Sequence, residues 1–511
     1  MMGLRDYTLF DIISRNAQLH PQRTAIIFEG QRVSHREYLA RVLRLAAGLA
    51  AAGVGSGDRI GIVSLNCLEY LDLYGAAARL GAIVLPVNWR LSADEIVELL
   101  NDATPKLVFA DAEHQGLVTA ARGRLPSVER CYALGVAQAP FLAYAELLRA
   151  DAALADASMA HDRVDSDSGY VIIHTAAVAG RARGALISHR GLITASTQLI
   201  HHWNLGTEDV QLGMLPLFHV TGLGLFLALQ QAGGCTALSA RFDAAAAVSQ
   251  IVEERVTLFA EFAPMLGTLL DRAAASGADL SSLRVVSGLD TPDTIKRFET
   301  ACPNARFWAA YGQSEVSGGV TFAPFRERPG AAGRPALFST VAIVDDLDQP
   351  VPAGQTGEIV VRGPMVFKGY WNCEADNAFT FRNGWHHTGD MGRFDADGYL
   401  WYAGRSPAKE LIKPGGENVY PAEVEQAILA HPAIAEAVVL GVADAHWGEA
   451  IKAVCVCKPG ERVSADDLIE FVGQRIARYK KPKHVRFVAQ LPRTASGSVD
   501  RQAVKQEHGQ G

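Results

Sequence analysis

Hydrophobic positions follow helical spacing near Val33–Gly53, run as a strand over Arg59–Ser64, return to helix through Cys67–Leu80, and form a strand again over Ala82–Val87. That strand ends in Asn88-Trp89-Arg90-Leu91. Strands alternating with helices bury best as parallel sheets covered by helices, so the pattern predicts an α/β architecture. A second alternating region runs from Gly169 to about Ala323, with strands expected at Tyr170–His174, Val256–Ala260 and Leu283–Ser287. From Gly333 the texture changes to short strands and turns, Ser339–Val344, Gly357–Arg362 and Gly398–Tyr402 among them, which reads as a small β-barrel. The turn-forming stretch Gly404-Arg405-Ser406-Pro407-Ala408 reads as a linker, and Glu410–Gly511 as a compact α+β unit.

The longest uncharged run, Leu212–Leu229, approaches the length of a membrane span, but Pro216, His219 and three glycines interrupt it, so it reads as buried core. In the run AVCVC, Cys455 and Cys457 alternate as two core positions on one face of a strand.

A chain of 511 residues exceeds what one hydrophobic core supports, so roughly three domains or subdomains are expected. With 49% hydrophobic and 20% charged residues it has the composition of a soluble globular protein, and its net charge of -7 argues against nucleic acid as a partner. Seven scattered cysteines without a Cys-x-x-Cys pair indicate neither a disulfide framework nor a zinc site, and a reducing cytoplasm is the expected location. The start, MMGLRDYTLFDIISRN, has no apolar stretch of signal-peptide length.

The most specific run is Glu410–Glu425, ELIKPGGENVYPAEVE, a glycine-centred turn at Gly415-Gly416-Glu417 followed by a helix with Pro421 near its first turn. Four other motifs accompany it: Gly81–Leu91 (GAIVLPVNWRL), Leu215–Gly222 (LPLFHVTG), Tyr311-Gly312-Gln313-Ser314-Glu315 and Trp385–Asp390 (WHHTGD). On these motifs, which fall in the family's order from about Thr8 to Arg501, the chain resembles the adenylate-forming, acyl-activating superfamily and its acyl-CoA synthetase branch.

The resemblance implies a carboxylate and ATP converted to an acyl-adenylate, followed by transfer of the acyl group to coenzyme A. It implies Tyr311 and Gly312 at the adenine, Ser314 at the α-phosphate, and Glu315 as the Mg2+ ligand, a hard carboxylate oxygen suited to a hard cation. Asp390 would accept both ribose hydroxyls, each carboxylate oxygen taking one donor, and Arg405 would reach ribose or phosphate. His219 would sit between the adenylate and the thiol path. The Gly415-Gly416-Glu417 loop would face the adenylate in the second of two domain orientations. Adjacent histidines on a strand point to opposite faces, so His386 and His387 are not expected to share a metal.

The sequence departs from the family at four places. The glycine-rich phosphate loop, Thr175–Gly184, reads TAAVAGRARG: Thr175, Gly180, Arg183 and Gly184 remain, but every hydroxyl after Thr175 is gone. Ser498 stands where the family has the lysine that bridges carboxylate and α-phosphate; losing a preorganised donor there costs about 10²–10³ in rate. Lys480, Lys481, Lys483 and Lys505 are candidates to replace it. Gly288 and Leu289 lie in SGLDTP, where the family has a small-residue segment against the adenine. Lys409 occupies the hinge position after two extra residues around Pro407-Ala408.

The expected organisation is therefore residues 1–404 as a large N-terminal domain, with α/β subdomains at about 1–168 and 169–332 and the barrel at 333–404. A hinge at 405–409 and a mobile C-terminal domain at 410–511 follow. The expected reaction is AMP-forming acyl-CoA synthesis on a fatty acid. The alternatives are an aryl-acid CoA ligase, an adenylation-impaired or non-catalytic homologue that binds nucleotide or acyl-adenylate, and a carrier-protein acceptor. The partners implied are a small carboxylic acid, ATP, Mg2+ and coenzyme A, with a homodimer left open and no transmembrane segment.

Overall fold

The computed structural model describes residues 4–149, 164–178, 181–405, 411–444, 446–493 and 499–509. Gly180, Lys409 and Ser498 lie outside the described residues. Two large sheets carry the N-terminal part. The first has eight strands, and six of them are joined by parallel pairings: Gly169–Val178, Ile83–Pro86, Arg59–Val63, Leu107–Asp111, Arg130–Leu134 and Leu142–Ala143. The second has nine, with a parallel centre formed by Arg306–Gln313, Val285–Leu289, Leu258–Phe262, Val210–Gly213, Cys235–Leu238 and Thr24–Phe28. The alternating pattern therefore gives the α/β class it predicts.

The division at residue 168 is corrected. The hairpin Thr24–Phe28/Gln31–Ser34 belongs to the second sheet, where Ile26 pairs with Thr236, while Gly169–Val178 belongs to the first, where Val171 pairs with Val84. Each half thus lends strands to the other, because Ala25, Ile26 and Val33 of the hairpin extend the same core as Tyr170, Val171 and Ile173. The helix Leu68–Leu80 lies inside that core with every residue but Glu69 buried, as expected of a helix apolar on most of its circumference. Tyrosines stitch it in place: Tyr38 Oη donates to Leu71 O at 2.9 Å, and Tyr74 Oη to Leu217 O at 2.8 Å.

The segment read as a barrel takes the form of a four-stranded antiparallel sheet of Thr340–Val344, Gly357–Arg362, His386–Phe394 and Leu400–Arg405. Its flanking short strands, Arg334–Pro335 and Gly369–Tyr370, join the two large sheets. The C-terminal unit packs the helices Pro421–Leu429 and Ala465–Gly473 on the antiparallel pair Ile434–Asp444 and Gly448–Cys457, extended by His484–Phe487. Cys455 and Cys457 share one apolar cluster, as their spacing predicts, and all seven cysteines are free. Leu212–Leu229 resolves into the end of a strand and the buried helix Val220–Ala232. Among the described residues no helix is long and apolar enough to cross a membrane.

Candidate active site

The C-terminal ends of the second sheet's strands, the four-stranded sheet and the C-terminal unit converge on one cleft. Asp390 is buried in its wall, 2% exposed. Its Oδ2 accepts Tyr311 Oη at 2.8 Å and Gln313 Nε2 at 2.5 Å, while Oδ1 lies 3.0 Å from Arg405 Nε. That last pair is close but misaligned, so among the described residues neither Oδ1 nor Nε has a hydrogen-bond partner. A buried carboxylate oxygen left with an unused lone pair is an acceptor waiting for a donor. Burial beside Asp390 pushes the Tyr311 phenol well above its usual range, so it stays a donor.

Behind Asp390, the Gly389 amide donates to Glu358 Oε1 at 2.8 Å, and His387 Nδ1 meets Glu358 Oε2 at the same distance. Asp348, Glu358 and His387 bring potential ligand atoms within 4.8 Å of one another. Arg382 already supplies the positive charge there, reaching Asp348 at 3.0 Å and Glu358 at 3.2 Å. His386 points the other way, its Nε2 at 3.3 Å from Gln313 Oε1, so the two histidines diverge as expected.

Glu315 lies in the turn after Arg306–Gln313 and is 8% exposed. Its Oε1 accepts Tyr370 Oη at 2.8 Å and Thr175 Oγ1 at 3.4 Å. A carboxylate placed here is a hard oxygen donor of the kind that suits a divalent cation completed by phosphate oxygens. Tyr370 also underlies Arg183, whose guanidinium sits 4.0 Å from the ring centroid. Arg183 Nε is buried without a hydrogen-bond partner among the described residues. Thr175, Arg183, Glu315 and Tyr370 therefore form one cluster, with Gly184 in the same hairpin; Ser314 begins the turn that carries Glu315. Gly312 is sterically required, because a Cβ there would lie 1.9 Å from Gly318 O.

Gly288 and Leu289 end the strand Val285–Leu289 at the same rim, Leu289 being 59% exposed. His219 caps the helix Val220–Ala232. Asn66 fixes the segment before it, donating to Leu215 O at 3.0 Å and accepting from Leu217 N at 2.9 Å.

The C-terminal unit closes the cleft with Gly415-Gly416-Glu417. Gly416 has φ +83° and lies so close to Phe262 that a Cβ would meet the ring at 2.8 Å. Glu417 Oε1 is paired with Arg90 Nη1 and lies 3.5 Å from His219 Nε2; Oε2 takes Asn88 Nδ2 at 3.3 Å. Burial would raise the pKa of this carboxyl, but its contacts with His219 and Arg90 override that and hold it at about 2. Arg405 Nη1 donates to Tyr420 Oη at 3.0 Å, joining the Asp390 side of the cleft to the same unit.

Sequence reasoning missed Tyr370, Gln313, Tyr420 and Asn88. Tyr370 follows Gly369 in a two-residue strand, and nothing in so short a segment marks a phenol that serves two site residues at once. Of the candidate replacement lysines, Lys480 is committed to Glu95 and Glu423, and Lys483 to Asp444.

Known proteins resemble the chain along most of its length. Residues 13–371 match the AMP-binding enzyme family and residues 423–498 the AMP-binding enzyme C-terminal domain. Indoleacetate–CoA ligase of Aromatoleum aromaticum is 36% identical over 503 residues, 98% of each chain. A solved chain from Rhodopseudomonas palustris, provisionally described as a long-chain-fatty-acid CoA ligase, is 55% identical with a TM-score of 0.75, covering 79% of this chain and 100% of that one. The o-succinylbenzoate CoA synthetase of Bacillus subtilis, 28% identical over 98% of both chains, superposes with a TM-score of 0.86 as a double mutant bound to its product analogue OSB-NCoA. The same synthetase in complex with the acyl-adenylate intermediate OSB-AMP gives 0.70.

Proposed function

Because the chain belongs to the AMP-binding enzyme family and is an AMP-forming acid–thiol ligase, we propose that it joins an arylalkanoic acid to coenzyme A through an acyl-adenylate. The observation that carries the substrate class is the 36% identity, along the full length of both chains, with a ligase for indoleacetate. Trp89 and Phe218, edge to face at 6.5 Å beside His219, supply flat apolar walls suited to such a ring. The 55% identity to the Rhodopseudomonas chain favours a second reading, a long-chain fatty acid.

In the first step Asp390 Oδ1 takes a ribose hydroxyl and Tyr311 covers the base, fixing the nucleotide so that its α-phosphorus faces the bound carboxylate. Arg183 and Thr175 hold the phosphates. Glu315 would hold Mg2+, which when bound neutralises charge building on the leaving pyrophosphate. The carboxylate oxygen bonds to phosphorus as the bond to pyrophosphate breaks.

In the second step the thiol sulfur bonds to the acyl carbon and AMP leaves with the electron pair of the broken C–O bond. The thiol proton passes toward His219, which Glu417 orients. Gly415 and Gly416, with the Trp447 and Phe262 rings packed against them, let the loop close on the cleft where a bulkier residue would hold it off.

Isotope exchange between pyrophosphate and ATP tests the reading, run with indole-3-acetate, ferulate, decanoate and palmitate. Exchange fastest with indole-3-acetate is expected. Exchange only with palmitate or decanoate would establish the second reading, and none with any acid would remove both. Asp390→Asn should weaken AMP binding by at least tenfold in calorimetry, since a lost bond to a charged group is worth about 1.5–3 kcal/mol.

A further inference from the structure

The two units also meet at a second charged point, formed by Glu95, Lys480 and Glu423. Glu95 lies in the first turn of the helix Ala93–Ala103 and closes a capping box with Ser92: Ser92 N donates to Glu95 Oε2 at 2.7 Å and Glu95 N to Ser92 Oγ at 3.4 Å. The same carboxylate reaches across to the C-terminal unit. Its Oε2 takes the Ala477 backbone N–H at 3.0 Å, and its Oε1 takes the Lys480 ammonium. Lys480 is 5% exposed and donates a further bond to Glu423 Oε1 at 2.5 Å.

Two carboxylates on one buried ammonium divide the work. Glu423 and Lys480 belong to the same unit, so Lys480 keeps a counter-ion when the units part and no bare charge is left buried. Glu95 comes from the other unit and can join only when the units dock. Burial, and then the neighbouring Glu95 carboxylate, push the Glu423 carboxyl up against the pull of Lys480, the sign of two acids competing for one cation.

We propose that Glu95 is a positioning residue for the coenzyme A step: with Lys480 it forms a latch that closes only in the orientation bringing Gly415-Gly416-Glu417 to His219. The proposal rests on the two-step ligase reading. Its geometry is consistent with the superpositions, in which this arrangement lies nearer the synthetase carrying a coenzyme A product analogue, at 0.86, than the form carrying the acyl-adenylate, at 0.70. One short segment, Asn88–Glu95, supplies both contacts, since Asn88 and Arg90 hold Glu417 while Glu95 holds Lys480.

The test separates the half-reactions in the full-length protein. Pyrophosphate–ATP exchange is measured with the acid the panel identifies, and single-turnover thioester formation with coenzyme A and the synthetic acyl-adenylate of that acid. Glu95→Gln keeps the capping hydrogen bonds, because glutamine also serves in a capping box, and removes only the charge. The expected result is thioester formation slowed about tenfold or more with exchange within twofold of the parent. Lys480→Met should act the same way, and the double variant should be no slower than either single one, since both remove one interaction. Unchanged thioester formation, equal slowing of both steps, or losses that multiply in the double variant would each overturn the latch while leaving the ligase reading intact. If the parent shows no exchange with any acid, the ligase reading fails and the latch fails with it.

Discussion

Glu417 and His219, 198 residues apart in the chain and on different units, face one another with 3.5 Å between Oε1 and Nε2. Their contact shows the C-terminal unit closed over the cleft, and the carboxylate is anionic there because its pKa is held at about 2. An acid lowered from 4.5 contributes docking stability that is fully present above pH 4.5 and lost as pH falls toward 2. The lowering corresponds to roughly 3 kcal/mol. Glu417→Gln should therefore lower the urea midpoint at pH 7, and the gap from the parent should shrink as pH is taken from 4.5 toward 3. A gap independent of pH would show that the charge is not what matters.

Gly416→Ala is expected to strike the same contact from the steric side. The added methyl would sit 2.8 Å from the Phe262 ring on a backbone at φ +83°, a conformation costing a non-glycine residue about 1 kcal/mol or more. Thioester formation should fall by at least tenfold. Combining it with Phe262→Ala should recover part of the loss, since space is restored while the backbone cost remains.

Two buried histidines should make the protein sensitive to mild acid. Burial lowers His35 and His189 to about 4, so both are neutral in the fold and take up protons on unfolding. Their contribution is complete above pH 6.5 and is lost as pH falls through 4, with a combined slope of up to about 2.7 kcal/mol per pH unit between those values. Urea unfolding from pH 7.5 to 5 measures it, and His189→Gln should remove about half the slope.

Ser498→Lys should raise pyrophosphate–ATP exchange by at least tenfold. Serine offers no charge at the position where the superfamily carries a lysine, and a preorganised donor at developing charge is worth about 10²–10³ in rate. Steady-state exchange at saturating acid is the measurement. An unchanged rate would mean that another cation already serves.

Local pattern made much of this molecule legible. Leu68–Leu80 is apolar on nearly every face and is buried on nearly every face, and Tyr311, Glu315 and Asp390 fall in the short motifs that carry the resemblance. Contacts between distant segments left no such trace. Nothing near Thr24–Phe28 says that it will pair with Cys235–Leu238, since a strand's apolar pattern tells which face is buried but not which neighbour lies beside it. Glu95 closes a capping box with Ser92, a local role, and its second contact depends on a lysine 385 residues away. Tyr370 was hidden for the same reason: its value lies in Glu315 and Arg183, both brought to it by other strands.

The exchange of strands between the two large sheets also bears on how the chain is made. Ile26 finds Thr236 only after some 210 further residues have left the ribosome, which at typical elongation rates takes roughly 10–40 s. Through that interval the early hairpin has an open edge and no partner. Newly synthesised chains should be most prone to self-association then, and a chaperone that shields extended segments should raise the yield of finished enzyme more than one acting after release.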